Sequence, residues 1–296
     1  MPKLCYISST MRFMFLFLLL SGGLMAQRST VTDTTFYSNL LHRAQHVSVY
    51  KPAGYVTGKD SLPVLYLLHG MGDNHTGWLR LGRLQQVADS CISNGSMKPC
   101  IIVMPDAGLT YYLNSKDGNT PYEDYFMHEL IPALEKRYAC KTGKQNRVIS
   151  GLSMGGFGCL LYAMHHPDMF SACYAMSPGI RNDEDIKRMS LVEFKRRYST
   201  ALGTIHEKDE RITPWWHENS ILYLAEHMPE VQKKQVRYYI DCGDDDPLSK
   251  GSALLHIIMQ QQQIPHEYRV KNGAHTWEYW QEALPTALKF LTADFR

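Results

Sequence analysis

Short apolar runs and stretches of helical periodicity alternate along this chain from about residue 44 to its end. Runs at 64–68, 100–104 and 172–176 are almost wholly apolar, the pattern of strands covered on both faces, and Arg147-Val148-Ile149-Ser150 reads as a further short buried strand. Segments at 46–50, 236–241 and 267–270 complete the expected strands. Between them, 82–91, 122–138, 154–165, 249–262 and 276–293 read as helices. This alternation predicts the α/β class: a mostly parallel, doubly wound sheet flanked by helices, with ligands outside the carboxyl ends of the strands. Residues 179–234, after the strand at 172–176, are more than one connection needs. They hold charged helical pieces and the aromatic group Trp215-Trp216-His217, and are expected as a small insertion that shapes the site or packs as surface helices.

Before residue 44 the pattern changes. Met11-Arg12 leads into the apolar run Phe13 to Leu20, then small and polar residues through Ala26-Gln27. A basic start, a short apolar stretch and a small residue before a polar one suit a secretory signal peptide over 1–26. The run is short for a membrane span, so no stable membrane insertion is expected after cleavage. The mature part, 27–296, is expected to form a single domain that is secreted or periplasmic. Its composition is that of an ordinary globular protein, 44% hydrophobic and 20% charged. A net charge of +2 gives no reason to expect nucleic acid as a partner. The seven cysteines, at 5, 91, 100, 140, 159, 173 and 242, include no C-x-x-C pair and no metal-type spacing, and no disulfide is assigned.

Gly151-Leu152-Ser153-Met154-Gly155 stands where the apolar run at 147–150 gives way to the helix at 154–165. A serine at such a turn sits in strained backbone with its hydroxyl exposed above the sheet. A hydroxyl attacks only when a base takes its proton and a third group orients that base. His275, in the Gly-containing segment after the last expected strand, is the candidate base. Asp246, several residues beyond the strand at 236–241, is the candidate acid; Asp241, Asp244 and Asp245 remain alternatives in the same acidic run. The oxyanion donors would be the backbone N–H groups of Met154, at a helix start, and Met71, in the loop His69-Gly70-Met71-Gly72. Trp78, Tyr111, Tyr112 and Trp216 are candidate substrate contacts. His165-His166 reads as a capping pair before Pro167. There is no Walker A loop, no dinucleotide fingerprint and no H-E-x-x-H, so neither metal nor organic cofactor is expected.

Taken together, His69-Gly70-Met71-Gly72 with Trp78, Met104-Pro105-Asp106, the segment 122–138, the Ser153 motif, Gly243 to Asp246 and His275-Thr276-Trp277 resemble the esterase D-like branch of the α/β-hydrolases, which includes feruloyl esterases. The resemblance runs from about residue 40 to the end. It implies Ser153, Asp246 and His275 as a triad, Met71 and Met154 as oxyanion donors, and a small-molecule or carbohydrate ester as substrate. It departs in Ala274, which stands where the family commonly has glycine before the histidine, and in the unusual acidity of the run at 244–246. An acyltransferase with a sugar or lipid acceptor, or an inactive binding protein of the same fold, are the alternatives.

Overall fold

The strand at Val64–Leu68 shows how the sheet divides its side chains. In this computed structural model, which describes residue 1 and residues 28–295, all five residues are buried. Val64, Tyr66 and Leu68 enter one apolar cluster and Leu65 and Leu67 another, on the opposite face. Ile101 and Val103 against Ile102 and Met104 repeat this alternation one strand away. A strand buried on both sides must be apolar at every position, which is why these runs are continuous.

Among the described residues, eight strands form one sheet: β1 Thr30–Ser38, β2 Arg43–Lys51, β3 Val64–Leu68, β4 Ile101–Pro105, β5 Arg147–Leu152, β6 Ala172–Met176, β7 Arg237–Gly243 and β8 His266–Lys271. Their spatial order is β1-β2-β4-β3-β5-β6-β7-β8. β2 pairs antiparallel with both β1 and β4, and all the other pairings are parallel. Helices Leu84–Ser93 and Trp277–Thr292 cover one face, and Met154–His165 and Ser249–Gln261 the other. This is the mostly parallel, helix-flanked sheet that the sequence predicts. No helix among the described residues is long and apolar enough to cross a membrane. The expected signal peptide lies outside the described residues.

Three differences have local causes. β1 is absent from the sequence expectation because its threonine-rich stretch carries little apolar signal; pairing with β2 from Thr30↔Lys51 to Ser38↔Arg43 makes it a strand. The single helix expected over 122–138 is instead Tyr122–Tyr125, a π-helical turn Phe126–Leu130, and Ile131–Arg137. Pro132 has no N–H to continue an α-helical ladder, and a wide turn just before it absorbs the break. The helix expected over 82–91 runs instead over Leu84–Ser93, because Arg83, in a left-handed conformation (φ 51°), sets it apart from a preceding short helix, Gly77–Arg80, that the sequence reading lacks.

The insertion between β6 and β7 is helical: Asp183–Arg188, Leu191–Leu202, Pro214–Glu218 and Ile221–Glu226. Each helix is started by a side-chain cap that the sequence spells out. Asn182, Ser190, Thr213 and Ser220 accept from the amides of Asp185, Glu193, Trp216 and Tyr223. The described cysteines at 91, 100, 140, 159, 173 and 242 are all buried free thiols.

Candidate active site

Ser153 stands between β5 and the helix Met154–His165 with φ 55° and ψ −116°, a backbone region that L-residues rarely occupy. The turn is this sharp because the helix packs directly on β3. A Cβ at Gly155 would lie 2.5 Å from the Leu68 carbonyl oxygen, so only glycine fits there. The turn leaves Ser153 partly exposed, with its amide donating to Met176 O at 2.9 Å.

His275 comes from the segment between β8 and the helix Trp277–Thr292. Its Nε2 is 2.9 Å from Ser153 Oγ and its Nδ1 is 2.8 Å from Asp246 Oδ2. A carboxylate can only accept, so Nδ1 carries the proton and Nε2 presents a lone pair to the serine hydroxyl. Burial pushes the Asp246 carboxyl up, but hydrogen bonds from His275 and from the Leu248 amide outweigh it and hold the pKa below the usual value. The acidic run is thus divided by geometry. Asp241 is fully buried in β7 and receives the hydroxyls of Tyr174 and Tyr279. Asp244 accepts the Gly273 amide at 2.9 Å, and the Asp245 amide donates to Gly273 O at 3.0 Å, lacing the acid loop to the histidine loop. A Cβ at Gly243 would lie 2.1 Å from Gly273 O, so the two loops meet backbone to backbone.

The loop after β3 abuts the serine. A Cβ built on Gly70 would stand 3.5 Å from Ser153 Cβ, so the residue before Met71 lies against the serine. His69, 1% exposed, fixes the loop. Its Nδ1–H donates to Gly70 O at 2.8 Å and its Nε2 accepts the Ala107 amide at 2.9 Å. Tyr112 OH donates to His69 O at 2.9 Å and Trp78 Nε1 to Leu68 O at 3.0 Å. With Trp78 1% and Tyr112 0% exposed, neither ring has a face left for a ligand. The expectation of substrate contact does not carry over to them: they hold the loop carbonyls from beneath. Met154 N–H is among the first amides of its helix, which the helix itself cannot pair.

His69→Ala leaves the Ala107 amide and Gly70 carbonyl buried without these partners, at about 1–3 kcal/mol each. A Tm several degrees lower, measured by calorimetry, is the expected result, with a larger fall in kcat than in substrate affinity because the loop loses its position.

Trp216 and Tyr111 both pack on Tyr198, in the insertion. Phe157, Gly179, Ile180, Tyr198, Trp215 and Trp216 line a narrow apolar cleft. Two of its lining residues adjoin the nucleophile turn, the amides of Phe157 and Gly179 both donating to Ser153 O at 2.9 Å. Tyr111 packs edge-on to Phe157 and its hydroxyl faces Arg197 Nη1 at 3.3 Å. Tyr111 and Tyr112 both have positive φ, 54° and 63°, an unusual pair for bulky residues. Trp280 is a site neighbour that the sequence reading passes over. Its ring lies edge-on to His275 at 4.8 Å and its Nε1 donates to Ser177 Oγ at 3.1 Å. Its position on an amphipathic helix reads as ordinary core, so only the fold reveals it.

A parallel sheet with a strained serine at one strand end, facing a histidine and a carboxylate from later loops, defines an α/β-hydrolase. The family described as "Putative esterase" matches residues 38–291. The chain belongs to this esterase family and is a carboxylic ester hydrolase. It is 36% identical over 172 residues to an endo-1,4-beta-xylanase/feruloyl esterase of Xylanibacter ruminicola, a match covering 55% of this chain and 24% of that longer protein. An acetyl esterase of Caldicellulosiruptor saccharolyticus is 22% identical over 88% of this chain and 98% of its own length. A solved ferulic acid esterase superposes with a TM-score of 0.77 at 32% identity, over 91% of this chain and all of that one.

Proposed function

We propose that Ser153, His275 and Asp246 are the triad of an exported serine esterase, formed by residues 27–296 as one domain, that hydrolyses phenolic acyl esters of carbohydrates or small alcohols. The hydrogen-bonded line from Asp246 through His275 to Ser153 Oγ carries the proposal. As Ser153 Oγ attacks the ester carbonyl, its proton passes to His275 Nε2, and Asp246 balances the imidazolium. The Met71 and Met154 amides receive the oxyanion, a role worth about 10²–10³ in kcat per donor. The tetrahedral intermediate collapses, His275 returns the proton to the departing alcohol, and an acyl-enzyme remains. Water, deprotonated by the same Nε2, then releases the acid. None of these steps calls for a metal or an organic cofactor.

The aromatic cleft, two of whose lining residues bond the Ser153 carbonyl, supports a flat acyl group over a bare acetyl, as do the relatives named as feruloyl esterases. Comparing kcat/KM on methyl ferulate, tributyrin and acetylated xylan tests it. Trp216→Ala is expected to reduce kcat/KM for methyl ferulate by roughly 10–200-fold, the range for losing apolar pocket contacts worth 1–3 kcal/mol. Turnover of p-nitrophenyl acetate is expected to change little. Equal losses on both substrates would remove the cleft from acyl recognition.

A further inference from the structure

At the far end of the nucleophile helix, two imidazoles converge on one buried carboxylate. Glu123, 6% exposed, receives His165 Nδ1 and His166 Nε2, each 2.8 Å from the same oxygen, Oε1. The three ligand-type atoms lie within 4.8 Å of one another. The helix Met154–His165 is 12 residues long, so this cluster is about 18 Å along its axis from Ser153, at 1.5 Å per residue.

We propose that Glu123, His165 and His166 form a binding site for a divalent transition metal of the zinc type, with water as the fourth ligand, that fastens the insertion to the end of the nucleophile helix. One carboxylate oxygen and two imidazole nitrogens are a zinc-type donor set, whereas magnesium and calcium take oxygen shells. A second contact supports it independently. His165 Nε2 is 2.9 Å from the Glu218 carbonyl, at the end of the insertion helix Pro214–Glu218. That carbonyl can only accept, so Nε2 carries a proton and Nδ1 is the nitrogen available to an ion. This outer bond to a backbone carbonyl is the usual support of a metal-bound histidine.

The remaining features fit. The side chains of His165 and His166 are 22% and 31% exposed, which leaves an ion a way in and room for a water. Donor atoms around a tetrahedral zinc stand roughly 3.3 Å apart, so each ring has to draw back by roughly 0.5 Å from the carboxylate. The ion takes the place of the protons now shared between rings and carboxylate, and these leave to solvent. The sequence suggests a capping pair here, and His166 does stand at the helix C-cap with its amide donating to Tyr162 O; the imidazoles in addition reach across to Glu123 and, from His165, to the insertion.

The test uses the whole protein, stripped with a chelator and dialysed. Zn²⁺ binding is followed by calorimetry, and Co²⁺ binding by its visible absorption, which reports coordination number. The expected result is one Zn²⁺ per chain, a raised Tm, and a four-coordinate Co²⁺ spectrum. Glu123→Gln and His166→Ala should each weaken Zn²⁺ binding by at least about tenfold. His256→Ala, which breaks the other close histidine pair (His256 Nδ1 to His266 Nε2, 2.8 Å), should leave it unchanged. If His166→Ala does not fold, His166→Gln, which keeps a donor toward Glu123, replaces it. No binding by the wild type at sub-millimolar Zn²⁺, or undiminished binding by the Glu123 and His166 variants, overturns the proposal. These readouts do not depend on ester turnover, so their failure is separate from any failure of the Ser153 triad.

Discussion

Ser153→Ala is expected to abolish hydrolysis of a short p-nitrophenyl ester, with kcat falling by about 10⁴-fold or more. Far-UV circular dichroism and chromatographic behaviour should stay those of the wild type. The proposed triad makes Ser153 Oγ the attacking atom, and alanine removes it without disturbing the amide bond to Met176 O that holds the turn. Ser153→Gly adds a second, opposite expectation. A residue held at φ 55°, ψ −116° stores on the order of 1–3 kcal/mol that glycine does not. The glycine variant should therefore be as inactive as the alanine variant and melt several degrees higher. Turnover retained in either would take Ser153 out of the chemistry.

Asp246→Asn is the other large effect. An asparagine can donate to Nδ1, which would move the imidazole proton to Nε2 and turn the base away from its task. The expected loss in kcat is about 10⁴-fold, with the geometry little changed. Asp244→Asn and Asp245→Asn serve as controls within the same run. Asp245 is exposed and Asp244 holds the Gly273 amide, so both variants should keep activity far above that of Asp246→Asn. The same carboxylate carries a pH signature. Its folded pKa lies below the unfolded value of about 3.9. Its contribution to stability is thus present above about pH 4 and is lost as pH falls further, through the folded value. Chemical denaturation of wild type and Asp246→Asn across pH 2 to 6, values that bracket this ordinary range, should show the wild type losing its relative advantage only at the acid end.

The interior of the sheet was easiest to read because burial on two faces forces a continuous apolar run. β3 and β6 coincide with the segments expected at 64–68 and 172–176, and the helix at 154–165 does too. β1 escaped because it is an edge strand whose pairing partner, not its own composition, decides its conformation. Trp78 and Tyr112 were misread for a different reason. An aromatic residue near a catalytic loop in sequence can face the ligand or brace the loop from behind, and only burial separates these roles. The acidic run posed a similar limit: four aspartates within six residues have nearly the same reach along the chain. Their hydrogen-bond partners, contributed by Tyr174, Tyr279, Gly273 and His275, come from elsewhere in the sequence. Glu123 and its two histidines lie about 40 residues apart and carried no spacing that local inspection could recognise.

The four capped helices between β6 and β7 leave the chain and return to it at neighbouring strands, which pair at five consecutive positions from Ala172↔Arg237 to Met176↔Asp241. That ladder is complete without them. The segment is consequently an addition to the sheet rather than part of it, carrying most of the cleft's aromatic wall, while Ser153, Asp246 and His275 come from outside it. If the proposed acyl role of the cleft holds, replacing this segment should change which acyl group is preferred while the sheet that carries Ser153 stays folded.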